Sequence, residues 1–125
     1  MKQRFVIHGK LPSLNDVTAA NRTNPHAGAK QKRRVEEDIA WAIAAFRLKP
    51  MSGPVAIHCD WYEANHRRDC DNVVSSIKFV QDALVRAGKL PGDGQRVIPQ
   101  PPTHRVFVDK LHPRVEVTIE TIGES

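Results

Sequence analysis

The stretch His66-Arg67-Arg68-Asp69-Cys70-Asp71-Asn72-Val73-Val74-Ser75-Ser76-Ile77-Lys78-Phe79-Val80-Gln81-Asp82-Ala83-Leu84-Val85-Arg86-Ala87-Gly88, continued by Lys89-Leu90-Pro91-Gly92-Asp93-Gly94-Gln95-Arg96-Val97, decides how this chain is read. Two aspartates, Asp69 and Asp71, flank Cys70 and follow an arginine pair, just ahead of an amphipathic run. Val73, Ile77, Val80, Leu84 and Ala87 recur at helical spacing, which predicts a helix from Asp71 to about Ala87 with Gly88 as its C-cap. A third aspartate, Asp93, lies between two glycines in the following loop. The reading is a carboxylate cluster for divalent cations at a strand end and a helix start.

The chemistry behind that reading is direct. In extended chain Asp69 and Asp71 project to the same side and Cys70 to the other. Side-by-side carboxylates repel unless a cation joins them. Asp71 also suits an N-cap, which accounts for Asp71 but leaves Asp69 without a role. Mg²⁺ prefers oxygen ligands, keeps several waters and takes a few carboxylates plus substrate phosphate. Six scattered histidines and two isolated cysteines support a zinc site poorly. Gly-Asp-Gly around Asp93 is by itself a common turn. Lys78 has Asp82 one turn on as an ordinary surface partner, yet two turns after Asp71 its ammonium can also lean toward the metal site and a scissile phosphate.

Working outward, Arg4 to His8 alternates and reads as a first strand, ended by the turn Leu11-Pro12-Ser13-Leu14-Asn15-Asp16. Val17 to Gly28 is polar and mixed, and a mobile loop is expected there. A helix is predicted from about Ala29 to Arg47, with Val35, Ile39, Ala42, Ile43 and Phe46 on one apolar face. Lys30, Lys32, Arg33 and Arg34 would crowd its first turns, where the helix dipole disfavours cations. A solvated charged face is one account of them, and an approaching phosphate is the other. Val55 to Tyr62 alternates as a half-buried strand, with His58 and Asp60 either facing the catalytic side or, the reading favoured, satisfied polar groups on its other face. Two last strands are expected at about Arg105–Asp109 and Arg114–Thr121, joined as a hairpin through Leu111-His112-Pro113. The order β-α-β-α-β-β indicates an α+β fold, one domain over residues 1–125, with a mixed sheet and helices on one face.

The chain has 125 residues, a formal charge of +5 and a pI near 9.6. That balance favours an anionic partner, nucleic acid ahead of membrane, because neither an amphipathic basic helix nor a lipidation signal is present. Two cysteines do not make a disulfide framework. The N-terminal apolar run is too short for a signal peptide, and a cytoplasmic location is expected.

R-R-D-C-D-N, then K-F-V-Q-D-A-L-V-R-A-G-K-L, then G-D-G-Q-R-V resembles the RusA-type Holliday junction resolvases, the crossover junction endodeoxyribonucleases, including phage and prophage members. The P-S-L-N-D turn and the final alternating strand extend the similarity over nearly the whole chain. The resemblance implies a homodimeric, Mg²⁺-dependent nuclease of four-way branched DNA, with Mn²⁺ as a possible substitute. The metal-binding aspartates would be Asp69, Asp71 and Asp93, and the catalytic lysine Lys78. Arg67 and Arg68, with Arg22, Lys30, Lys32, Arg33 and Arg34, would hold backbone phosphates. Counted forward from Asp71, the lysine arrives three residues later than in the shortest members, so V-V-S-S-I is read as containing an insertion. The closing loop that commonly reads D-D is here Gly92-Asp93. Two rival readings use the same residues: a nuclease of flaps, branches or single strands, and a junction-binding protein that no longer cuts.

Overall fold

Alternation of apolar and polar residues sets the sheet. A computed structural model describes residues 1–123. In it β1 (Lys2–His8), β2 (Val55–Glu63), β3 (Thr103–Val108) and β4 (Arg114–Thr121) form one sheet in the order β1-β4-β2-β3. β4 is antiparallel to both β1 and β2, whereas β3 runs parallel to β2, so the sheet is mixed as expected. Phe5, Ile7, Val55, Ile57, Cys59, Trp61, Val115, Val117 and Ile119 point to one face and are buried there, which fits helices covering that face alone. The domain is a single α/β unit with the helices α1 (Leu14–Thr23), α2 (Pro25–Ala45), α3 (Cys70–Val74) and α4 (Ile77–Arg86). No helix among the described residues is long and apolar enough to cross a membrane.

Four sequence expectations are corrected here. Residues 17–28 are not a loop: α1 occupies most of them. Its start is a capping box, in which Ser13 Oγ accepts from the Asp16 N–H and Asp16 accepts from the Ser13 N–H. Only Val17 of α1 is buried, so the helix carries almost no hydrophobic period to read. Second, α2 starts at Pro25, not Ala29, with Asn24 accepting from the His26 and Ala27 N–H groups. Its first turn therefore carries no cation, and the dipole conflict expected for Lys30 to Arg34 does not arise. Gly28 is required at the α1–α2 contact, because a Cβ there would lie 2.8 Å from the Asn21 backbone nitrogen as well as against its side chain.

Third, the helix expected from Asp71 to Ala87 is broken into α3 and α4 at Ser75–Ser76. Ser75 Oγ donates to the Asn72 carbonyl at 2.7 Å, and fully buried Ser76 donates to the Pro12 carbonyl at 2.6 Å. Serine hydroxyls bonded this way compete with the helical ladder. The break falls inside V-V-S-S-I. Gly88, at φ +75, does follow the C-cap of α4. Fourth, β3 spans 103–108 rather than 105–109, and β3 and β4 are not a hairpin: β2 lies between them. The link through Leu111 to Pro113 crosses the end of β2, where the Asp109 N–H donates to the Glu63 carbonyl at 2.7 Å.

Candidate functional site

β2 delivers the chain at Glu63 to the segment that carries the arginine pair. Glu63 is 7% exposed, and a carboxylate so placed needs a cation. Arg68 supplies it through two parallel bonds of 2.9 Å from Nε and Nη2, and Nη1 donates to the Leu11 carbonyl at 3.1 Å. Asp16 stands 3.8 Å away on the same guanidinium. Arg68 is thus a structural tie between β2 and the β1–α1 turn. Arg67 remains exposed and carries no ion pair among the described residues.

The β1–α1 turn is bound to α3 by further contacts. The Leu14 N–H donates to Ser75 Oγ at 3.2 Å, and Asn15 Nδ2 donates to Asn72 Oδ1 at 2.9 Å. With the Ser76–Pro12 bond these fix the D-C-D-N segment against P-S-L-N-D. That pairing is the physical link between two motifs far apart in sequence, and Asn15, Ser75, Ser76 and Glu63 were missed as positioning residues. The asparagine common to both motifs, Asn15 and Asn72, was the available signal.

Asp69 occupies the N-cap position of α3, with φ −64 and ψ 150, and its side chain makes no capping bond. Asp71 lies inside the first helical turn, so it is not the N-cap. The expected extended pair with both carboxylates on one side is therefore overturned: one is on the extended residue and the other on the helix. Both residues are exposed, and neither carboxylate has a hydrogen-bond or ion-pair partner among the described residues. Anions at a helix start are favourably placed with respect to its dipole.

Lys78, in the first turn of α4, meets two carboxylates. Its Nζ lies 3.1 Å from Asp93 Oδ2 and 3.3 Å from Asp82 Oδ1. The Asp93 carboxylate, then that of Asp82, holds the ammonium above the ordinary lysine range. The lysine and the closing aspartate, 15 residues apart, are brought together. Among the described residues no three His, Cys, Asp or Glu side chains stand close enough to share one metal ion, so the three aspartates are not gathered into one cluster. Their chemistry nonetheless fits a hard cation: three exposed carboxylates, two of them unpaired, and no sulfur or imidazole among them.

The surface charge is uneven. Arg22, Lys30, Lys32, Arg33, Arg34 and Arg67 are all exposed and lack ion pairs among the described residues. Lys30 and Arg34 line a groove of about 400 Å³ between α1 and α2. The open face of the sheet is different, because its charges are matched. Asp60 takes a bidentate contact from Arg105 at 2.8 and 3.0 Å and a 2.8 Å bond from His58, whose other ring nitrogen meets Thr103 Oγ1 at 2.6 Å. The Arg105 contact, with help from His58, keeps the Asp60 carboxyl below its ordinary range. His58 and Asp60 are thus satisfied polar groups on the other face, as the alternation implied. Cys59 and Cys70 are free thiols, and burial pushes Cys59 up to about 12. No protein-family model matches this chain, and no curated protein sequence matches it.

Proposed function

We propose that the chain is a divalent-metal-dependent, structure-specific endodeoxyribonuclease that resolves four-way DNA junctions by paired nicks. The observation that carries the reading is the 3.1 Å contact between Lys78 and Asp93. The order D-x-D-N, lysine, D-A-L, G-D-G is a sequence resemblance to the RusA-type resolvases, and this contact joins its lysine to its closing aspartate. Asp69, Asp71 and Asp93 are the residues that would hold one or two cations, Mg²⁺ or Mn²⁺, although they stand apart here and would have to close around them. When bound, such an ion supplies a water of lowered pKa and stabilises charge on the phosphate.

The chain's own residues account for the rest. Lys78, held charged by Asp93 and Asp82, offers an ammonium to the phosphate oxygens as negative charge develops on them. Arg22, Lys30, Lys32, Arg33, Arg34 and Arg67 hold backbone phosphates and so position the DNA without reading its sequence. Two nicks in strands of like polarity require two copies of the site, which a two-fold dimer provides. The work is that of DNA recombination and repair.

The test is a panel of labelled DNAs (four-way junction, flap, single strand and linear duplex) incubated with Mg²⁺. Preferential, paired cutting of the junction supports the reading. Equal cutting of junction and linear duplex refutes the resolvase assignment, and junction binding without product under any divalent metal refutes the nuclease assignment.

A further inference from the structure

Large apolar residues are left in water together at the end of β3. Phe107 and Val108, its last residues, are 38% and 42% exposed, and Leu111 in the turn beyond them is 81% exposed. A single exposed leucine is ordinary, whereas neighbouring apolar side chains at one strand end mark a surface that meets something. The turn is held firmly. Asp109 Oδ1 accepts from the Leu111 and His112 N–H groups at 3.3 and 3.1 Å, and its Oδ2 accepts from Arg114 at 2.8 Å. Beneath the turn Phe107 stacks on Tyr62 with ring centroids 5.1 Å apart, and the Arg114 guanidinium lies 3.8 Å from the Tyr62 ring centre. The backbone of Leu111 is thus fixed before anything binds, which spares the ordering cost of a mobile loop.

The position of the turn joins it to the aspartate–lysine site. β2 and β3 run parallel and end together, and the carboxyl ends of parallel strands are where open α/β sheets take ligands. Glu63, the last residue of β2, accepts from the Asp109 N–H at its carbonyl and from Arg68 at its carboxylate, one residue before Asp69. Lys110 and Arg67 are exposed and without ion pairs among the described residues, and His112 is exposed beside them. A leucine among cations fits a ligand that offers phosphates and an opened base stack together. A four-way junction does so at its branch point, and a continuous duplex does not. Proteins that part base steps use apolar wedges of this kind, leucine among them.

We infer that Leu111 is a wedge: it enters the branch point of a four-way junction and parts the bases there, while Lys110 and Arg67 take the adjoining phosphates. The inference rests on the junction-nuclease reading and adds to it a residue outside the aspartate–lysine site. The experiment places 2-aminopurine at the branch point of a junction, and in a second sample midway along one arm, and follows its fluorescence on titration with the full chain in chelator.

A rise at the branch point and none in the arm is expected. Leu111→Ala is expected to remove most of that rise and to weaken junction binding about tenfold, the worth of burying a leucine in place of an alanine. Its linear-duplex binding and melting temperature stay unchanged, and Leu111→Met keeps the rise. A branch point that stays dark under saturating protein, or brightens equally with Leu111→Ala, overturns the inference alone, since paired cutting of the same junction in Mg²⁺ judges the nuclease reading separately. A chain that neither binds nor cuts the junction overturns both. Leu111→Ala that alters sedimentation of the free protein and leaves the branch-point signal intact assigns Leu111 to a protein interface and also overturns the inference.

Discussion

Replacing Arg68 separates a structural arginine from a DNA-holding one. Glu63 and Arg68 have side chains 9% and 14% exposed, and their pair is bidentate. Arg68→Ala leaves the Glu63 carboxylate buried without a counter-charge and the Leu11 carbonyl without a donor. Breaking one partner of a buried pair costs about 3–5 kcal/mol. A domain has about 5–15 kcal/mol in hand, so this is a large share of its stability. For a chain of this size 1 kcal/mol moves Tm by about 3–5 °C, so a fall of about 10–25 °C is expected.

Urea and thermal unfolding followed by circular dichroism read it directly. Arg67→Ala, one residue earlier and exposed, serves as the comparison and is expected to leave Tm within about 2 °C, as surface substitutions do. Exchanging both partners, Glu63→Leu with Arg68→Met, removes the unpaired charge and is expected to recover most of the loss. An Arg68→Ala protein that melts with the parent, yet loses DNA binding, would refute this account and return Arg68 to the nucleic-acid surface.

Three further outcomes follow from particular contacts. Lys78→Met is expected to reduce cleavage at least a hundredfold while changing stability by under about 1 kcal/mol, because its pairs are exposed; unfolding curves and junction cleavage on the same sample check both halves. Lys30→Ala with Arg34→Ala is expected to lower the slope of log affinity against log salt by about 2, the share of two phosphate contacts, measured by fluorescence anisotropy of labelled junction DNA. On the open sheet face Asp60, Asp109 and Glu116 have carboxyl pKa values held down, Asp60 and Asp109 chiefly by hydrogen bonds from Arg105 and Arg114, and Glu116 by bonds from Arg114 and Arg4 against its burial. Groups depressed in the fold add stability above their unfolded pKa, near 4, and lose it as pH falls through the folded value. Tm should therefore decline below about pH 4, and less steeply in Asp60→Asn; identical acid profiles for the two proteins would contradict the assignment.

Strands β2 and β4 were legible because burial on one face imposes a period of two, and the α2 and α4 stripes because burial imposes a helical period. α1 was not, since a helix with one buried residue has no period, and its start is written in a capping box, Ser13 with Asp16, inside what reads as turn chemistry. The break at Ser75–Ser76 depends on a carbonyl of Pro12, more than 60 residues away, which no local pattern contains. The same distance hid the site's framework. Lys78 and Asp93 were singled out and meet, whereas Asp69 and Asp71 depended on a local geometry, extended chain, that the helix start replaced. Arg68 was read by its charge alone, and its partner Glu63 looked like any strand-end glutamate. The neighbour of β3 in the sheet is a matter of topology: proximity in sequence suggested β4, and the parallel partner β2 was not visible.

The central claim is metal-dependent cutting, and it is tested most directly by incubating the purified protein and its Asp71→Asn variant with a labelled four-way junction, in Mg²⁺ and in chelator. Paired symmetric nicks from the parent in Mg²⁺ only, with the variant binding the junction but not cutting it, are the predicted result. Cutting that persists in chelator or in the variant, or a parent that binds and never cuts, would contradict the account.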